Sequence, residues 1–129
     1  MLASRQKVLV IGLILPDRDT GTVPAGGKFN KQMVHDDISN ARTADYDCTV
    51  IDINPIDQDP AKQELQQKLQ AQQWDLFVIG FGIRGNRAFT TLFEEIVNAC
   101  VESSPGTRFG FAPTPDGVCR TILRVLPPQ

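Results

Sequence analysis

The segment WDLFVIGFGIRG, residues 74–85, is the most informative part of the sequence about the architecture, because an unbroken apolar run leads directly into a glycine-rich turn. A run without polar alternation is typical of a strand that is buried on both faces of a parallel sheet. From Asn86 onwards the apolar residues recur at intervals of three and four, which predicts a helix. Its predicted core face comprises Phe89, Phe93, Ile96, Val97, Cys100 and Val101. The stretch therefore predicts one unit of strand followed by helix.

The same alternation of apolar runs with helical periodicity recurs along the rest of the chain. Strands are predicted at 7–15, 48–53, 74–80 and 107–113. Helices are predicted at 30–44, from 59 and from 116, with Asn30, Asp59 and Asp116 as their N-caps. The element order is therefore (βα)₄, and nothing in the sequence divides residues 1–129 into two domains.

The predicted strands are apolar on both faces, and such strands need helices on both faces of their sheet. Because crossovers between parallel strands are right-handed, the predicted fold class is α/β, a single-domain three-layer sandwich. The expected parallel sheet has the order 2-1-3-4, a flavodoxin-like or Rossmann-like arrangement. In that order the loops after the first and third strands separate and leave a crevice at the carboxyl edge of the sheet. This crevice is the predicted ligand site.

The composition is that of an ordinary globular protein, with 41% hydrophobic and 22% charged residues and a net charge of −2. Because no basic cluster is present, neither nucleic acid nor a membrane is a predicted partner. The apolar run from Val8 to Leu15 is too short to span a bilayer, and no signal-peptide cleavage site follows it. A cytoplasmic location is therefore expected.

The cysteines, Cys48, Cys100 and Cys119, are three in number and widely spaced. They fit neither a disulfide framework nor a zinc site, so each is predicted to pack as a small apolar residue. No metal and no cofactor is predicted.

The segment DRDTGTVPAGGKFN, residues 17–30, follows the first strand and resembles a phosphate-binding loop. It fails the Walker A pattern, because Gly27 intervenes before Lys28 and Phe29 replaces the required hydroxyl residue. A loop of about fifteen residues nevertheless exceeds the usual connection of two to six. Two alternatives stay open, a lid over the crevice and a surface excursion without a role.

Residues 80–85 match G-x-G-x-x-G, the dinucleotide-binding pattern, between a strand and a helix. The acidic residue that would bind a ribose is missing, since residues 110–113 contain no carboxylate. A nucleotide-binding enzyme is therefore a lesser alternative. The glycines are interpreted as permitting a tight turn from strand to helix.

Arg84 projects from this turn, at a position where anions commonly bind, and its guanidinium adds bidentate donors. The alternatives are a solvated arginine or a salt bridge to Asp52 or Asp116. Polar residues after the other strands converge on the same edge. The predicted ligand-binding set comprises Gly82, Arg84, Asn86, Asp17, Arg18, Asn54 and Thr114.

Several segments together resemble a family of small α/β proteins with a flavodoxin-like or Rossmann-like fold. They are KVLVIGL, YDCTVIDINP, WDLFVIGFGIRG, LFEEIVNAC and PGTRFGFAPTPD. Members share a strand ending in I-G-x-G-[IV]-R, an L-F-E-x-x-[VI]-N helix and a late F-N-[ST]-x-P-[DE]-D turn. The resemblance implies that Gly80, Gly82 and Arg84 belong to the family pattern and that Gly85 does not. It implies no particular activity. Ala112-Pro113 departs from the polar pair of the late turn.

Two functions are predicted from different classes. The first is binding of a small anionic metabolite in the crevice, with Asp17 and His35 as the candidate catalytic residues if a reaction occurs. Since no catalytic triad or metal set is present, enzymatic activity stays open. The second is a non-catalytic interaction module, receiver-like in fold but without a phosphoacceptor, because the third strand ends in Gly80. Its predicted partner is another protein or a second copy, forming a homodimer through the edge strand or the last helix.

Overall fold

The computed structural model describes residues 5–13 and 31–128. Within these ranges the chain forms four parallel strands. They are β1 (Gln6–Leu13), β2 (Tyr46–Ile53), β3 (Leu76–Ile79) and β4 (Arg108–Phe111). Their order in the sheet is β2-β1-β3-β4, which confirms the predicted α/β class and strand order.

In the described ranges, one helix follows each of β1, β2 and β4, whereas two successive helices follow β3. The helices are α1 (Lys31–Thr43), α2 (Asp59–Ala71), α3 (Phe81–Arg84), α4 (Thr90–Ser103) and α5 (Val118–Val125). A single 3-10 turn at Arg87–Phe89 joins α3 to α4. Across the described part of the chain, every helix is too short or too polar to cross a membrane.

Two apolar clusters lie on opposite faces of the sheet, and they confirm the three-layer arrangement. Leu9 and Phe77 belong to a cluster that also contains residues of α2 and α4. Val8 and Val78 belong to a second cluster with residues of α1 and α5. The cause is strand geometry, because successive side chains of β1 and β3 point to opposite faces. The continuous apolar runs of the sequence are therefore buried on both sides.

The second strand begins earlier than predicted, at Tyr46 rather than Cys48. Tyr46 pairs with Gln6 in the register of β1 and β2, and only 2% of its surface is exposed. Its hydroxyl donates a hydrogen bond to the carbonyl of Leu126, just after α5. The aromatic ring is thus part of the core, and the polar residue Asp47 between Tyr46 and Cys48 obscured this in the sequence.

Two details of the helices correct the predictions. Asp59 is not the N-cap of α2 but its first residue, and the N-cap position is held by Gln58 without a side-chain hydrogen bond. In α4 the core line is Leu92, Ile96 and Cys100, spaced by four residues. Val101, predicted to face the core, is 45% exposed. Val101 lies one residue beyond Cys100, about 100° further around the helix, and therefore outside this buried line.

At the amino edge of the sheet, Arg5 is held by several bonds. Its Nη2 donates to the carbonyls of Arg42 at 2.8 Å and Tyr46 at 3.1 Å. Its Nε lies 3.3 Å from the carboxylate of Asp45, so its charge is paired. The side chain therefore joins the start of β1 to the turn between α1 and β2.

Trp74 holds the same edge near β3. It is 4% exposed, and its indole Nε1 donates to the carbonyl of Lys68 at 2.9 Å, near the end of α2. Its own carbonyl accepts a hydrogen bond from the hydroxyl of Thr107, at 2.8 Å, just before β4. One residue thus links a helix and two strands.

Candidate functional site at the carboxyl edge

The carboxyl ends of β1 and β3 approach each other closely. The N–H of Gly80 donates to the carbonyl of Ile11 at 2.8 Å. A Cβ atom at Gly80 would lie 3.2 Å from Cα of Gly12. The φ of Gly80 is −68°, which any residue adopts, so glycine is needed here for space rather than for an unusual backbone conformation.

The other two glycines of the turn also face protein atoms. A Cβ atom at Gly82 would lie 3.3 Å from Cδ1 of Leu13. At Gly85 it would lie 2.7 Å from the ring of Phe81, and the φ of Gly85 is −82°. The G-x-G-x-x-G pattern here coincides with close contacts, which are to backbone atoms at Gly80 and to side chains at Gly82 and Gly85. The predicted tight turn from strand to helix agrees with the position of α3 directly after β3. Glycine is favoured at these positions by the limited space and not by an unusual backbone conformation.

Arg84 lies at the end of α3, with its side chain directed toward β4. Its Nη2 donates to the carbonyl of Ala112 at 3.2 Å, just after β4. Its Cζ lies 5.6 Å from the centroid of the Phe81 ring, a distance that permits a cation–π contact. Among the described residues, no ion pair joins Arg84 to Asp52 or Asp116. The carboxylate partners considered from the sequence are thus replaced by a carbonyl and a ring.

Asp37 of α1 caps α5, a role that the sequence prediction assigned to Asp116. Its carboxylate accepts hydrogen bonds from the backbone N–H groups of Val118 at 2.7 Å and Cys119 at 3.1 Å. The N-cap position of α5 is Gly117, which has no side chain to do so. The prediction for Asp116 is wrong because its carboxylate accepts from the hydroxyl of Thr114 instead, at 2.8 Å.

The environment of Asp37 raises the pKa of its carboxyl group above the ordinary value of 3.8. Burial is the largest cause, because it disfavours the charged form. The two N–H donors from α5 lower the pKa, but only in part. Nearby Asp116 raises it further and Arg120 lowers it. Asp37 therefore holds α1 against α5 at some electrostatic cost.

The sequence carried a signal for Asp37 that the prediction did not use. Residue 37 lies four positions after Met33 and four before Ala41, on the stripe of α1 that faces the core. A carboxylate on an apolar stripe requires donors, and unpaired N–H groups at a helix start are suitable ones. Which helix start supplies them depends on the tertiary structure.

The remaining predicted side chains are mostly engaged with their own backbone. Asn54 accepts from the N–H of Ile56 at 3.0 Å, and Asn86 accepts from the N–H of Ala88 at 2.9 Å. Both are local turn bonds. His35 is exposed on α1. The predictions for Asp17, Arg18, the N-cap Asn30 and the 17–30 segment lie outside the described residues.

The structure divides the predicted set by position. The bond from Arg84 to Ala112 brings the end of α3 to a point two residues before Thr114, whose hydroxyl donates to Asp116. Asn54 follows β2, the outer strand on the side of the sheet opposite to β4. Within residues 5–13 and 31–128, no three His, Cys, Asp or Glu side chains are grouped so as to hold a metal ion.

The cysteines are packed rather than poised for reaction. Burial raises the pKa of the Cys48 thiol to about 11 and that of the Cys100 thiol to about 12. Cys119, which is less buried, also has a raised pKa, through burial and then the nearby charge of Asp37. All three thiols stay protonated at neutral pH, and a nucleophile or metal ligand would need a thiolate. The prediction that they pack as apolar residues is confirmed.

Comparison of the chain with protein-family models, curated proteins and solved structures finds no match. The family resemblance noted from the sequence stays a prediction. Inference about function therefore depends on the residues of this chain.

Proposed function

We propose that the chain binds a small anionic metabolite at the carboxyl edge of its sheet, with Arg84 as the principal contact. The observation that carries this proposal is the setting of the Arg84 guanidinium. Its described partners, the Ala112 carbonyl and the Phe81 ring, carry no formal charge. A guanidinium has five N–H donors, and an anion can pair with those directed away from Ala112.

The turn that carries Arg84 has a firm support. Ile83 is fully buried, and the N–H of Arg84 lies 3.4 Å from the carbonyl of Gly80. The ring of Phe81 fills the space beside Gly85 and also contacts Arg84. A charged group on a rigid support loses less conformational entropy when it binds than one on a free chain.

The sheet order supports a ligand at this edge. β1 and β3 are neighbours, and the connections that follow them depart in opposite directions, which is the usual location of ligands in open α/β sheets. Thr114 follows the Arg84-bonded Ala112 by two residues, and its hydroxyl, which donates to Asp116 in the structure, is proposed as a further ligand contact. Contacts from Asp17 and Arg18, and closure of the 17–30 segment, remain part of the proposal.

The glycine contacts favour a small anion over a dinucleotide. In a dinucleotide-binding turn, the middle glycine lets the pyrophosphate approach the backbone. Here the space beside Gly82 faces the side chain of Leu13. The pattern of residues 80–85 is therefore better explained by packing, and the nucleotide-binding alternative gains no support from it.

Binding can be tested with inorganic phosphate, succinate and a nucleoside monophosphate as probes, using native mass spectrometry and calorimetry. We expect Arg84→Ala to lower the affinity for the tightest-binding probe by about tenfold to a hundredfold, which is the effect of losing one charge-assisted hydrogen bond. Arg84→Lys should recover only part, since it lacks the fork of donors. Arg87→Ala is the matched control, because Arg87 is exposed one turn away. Equal affinities of Arg84→Ala and Arg87→Ala would show that the anion binds elsewhere.

A further inference from the structure

The outer edge of β4 has backbone groups available for another strand. Among residues 5–13 and 31–128, β4 lies at the end of the sheet and pairs with β3 alone. The N–H of Ala112 donates inward to the carbonyl of Ile79 at 3.1 Å. Because successive residues of a strand direct their backbone groups to alternate sides, Phe109 and Phe111 direct theirs outward.

The described residues make only weak contacts with these outward groups. The carbonyl of Phe111 accepts from Thr121 and Arg124, both at 3.4 Å, near the limit of a hydrogen bond. Among the described residues, the outward N–H groups of Phe109 and Phe111 have no acceptor. The edge can therefore form regular hydrogen bonds with a strand that displaces the long contacts from Thr121 and Arg124.

The face of this edge toward α4 is aromatic and apolar. Phe109 and Phe111 are stacked with their centroids 6.4 Å apart, and Phe93 of α4 meets Phe111 edge-on at 6.0 Å. Phe111 is 38% exposed and Val101 is 45% exposed. Val97 and Val101 follow Phe93 at intervals of four, so they extend the same side of α4. An apolar side chain placed beside Phe111 would remove this surface from water.

The face toward α5 is basic. Arg108 belongs to β4, is exposed, and its Nη1 donates to the carbonyl of Val125 at 3.2 Å. Arg124 of α5 is also exposed and reaches the carbonyl of Phe111. Among the described residues, neither arginine has a carboxylate in an ion pair. The edge thus has two cations on one face and aromatic rings on the other.

We propose that the β4 edge binds an extended peptide segment of another protein as a fifth strand, one in which acidic and apolar residues alternate. Such a segment presents its apolar side chains to Phe109 and Phe111 and its carboxylates to Arg108 and Arg124. The period of two in a strand separates the two kinds of residue onto the two faces. Backbone bonds would supply affinity, and the alternating side chains specificity.

Charge argues against a second copy of the chain in this position. Two β4 strands related by a two-fold axis would run antiparallel, with Phe109 of one opposite Phe111 of the other. Arg108 of one copy would then approach Arg124 of its neighbour, and like charges so placed repel. Arginines at an edge oppose such pairing, whereas an acidic segment is attracted by them.

The test uses two fluorescent peptides of about eight residues, one alternating Glu with Val and one alternating Lys with Val, in anisotropy titrations. We expect the acidic peptide to bind at least tenfold more tightly. The double variant Arg108→Glu with Arg124→Glu should reverse this preference. Equal binding of both peptides, binding of neither, or an unchanged preference in the double variant would overturn the proposal.

A matched pair of variants tests the backbone bonds. Phe111→Ala removes the ring, while Phe111→Pro removes the ring and also the outward N–H, without touching a bond to β3. We expect the proline variant to bind the acidic peptide more weakly than the alanine variant. Equal affinities would contradict strand addition. Sedimentation of the wild type is the last measurement, because a dimer that Phe111→Pro dissociates would assign the edge to a second copy and overturn the peptide proposal.

Discussion

The two edges of the sheet use arginine in different ways. At the amino edge, Arg5 bonds to two carbonyls and pairs with Asp45. At the carboxyl edge, Arg84 bonds to one carbonyl and contacts one ring, with no carboxylate among its described partners. The charge of Arg5 is thus paired at the edge where it joins two parts of the chain. The charge of Arg84 is available at the edge where ligands bind in open α/β sheets. Charge pairing therefore distinguishes an arginine that holds the structure together from one that is a candidate for ligand binding.

The largest effect is expected from Trp74 at the amino edge. Trp74→Ala removes a buried indole that packs in the core and bonds to the carbonyl of Lys68 near the end of α2, and should lower the free energy of unfolding by about 3–5 kcal/mol. Trp74→Phe retains most of the packing and loses the bond to Lys68, so its cost should be smaller. Urea denaturation of both variants measures the difference. If Trp74→Ala lowered the free energy of unfolding by less than Trp74→Phe does, the indole would not stabilise this edge.

An intermediate effect is expected from Asp37 at the carboxyl edge. Asp37→Ala leaves the first N–H groups of α5 without an acceptor and should cost about 1 kcal/mol. Asp37→Asn keeps an acceptor oxygen and removes the buried charge, so at neutral pH it should be at least as stable as the wild type. Thermal unfolding of the three proteins measures both differences.

The difference in stability between the wild type and Asp37→Asn should change with pH in a defined direction. Because the folded state raises the pKa of Asp37, the folded protein binds this proton more tightly than the unfolded chain. Relative to Asp37→Asn, the wild type should therefore lose stability as pH rises from below 3.8 through the raised folded value. Denaturation curves measured across that window test this. A relative gain of wild-type stability with rising pH would mean that the two N–H donors outweigh burial.

The smallest effect distinguishes the two arginines directly. Arg5→Gln should cost about 0.5–1 kcal/mol, since it breaks an exposed ion pair and backbone bonds. Arg84→Gln should cost no more than this, because its side chain makes one described hydrogen bond. Anion binding should show the opposite ranking, lost in Arg84→Gln and kept in Arg5→Gln. If both variants lose binding equally, the contrast between the edges does not reflect function.

Much of the fold was predictable because it depends on local patterns. The apolar runs at β1 and β3 alone required cover on both faces, and this led to the correct strand order. The caps were less predictable. Asp59 and Asp116 are suitable residue types at suitable places, yet α5 is capped by Asp37, which is 81 residues before Val118. Residue type indicates that a cap is available, whereas tertiary packing selects the one that is used.

The candidate site was predictable in position but not in detail. The sequence placed Arg84 at the carboxyl edge, since it follows a buried strand. It could not indicate the bond to Ala112, because the acceptor is a backbone carbonyl and any residue supplies one. Similarly, the glycines at 80, 82 and 85 were recognised as a motif. The neighbouring atoms that leave little room for a side chain there, such as those of Leu13, become known only from the packing.

The bonds of α5 to Asp37 and Tyr46 also bear on the order in which the protein assembles. Both connect the last helix to residues about eighty positions earlier, so the helix adds contacts of high sequence separation. A ribosome delivers Val118 to Val125 after all four strands, and domains are completed as their chain emerges. The part of the sheet face around Val78 that α5 covers can therefore be buried only after residues 118–125 have been synthesised.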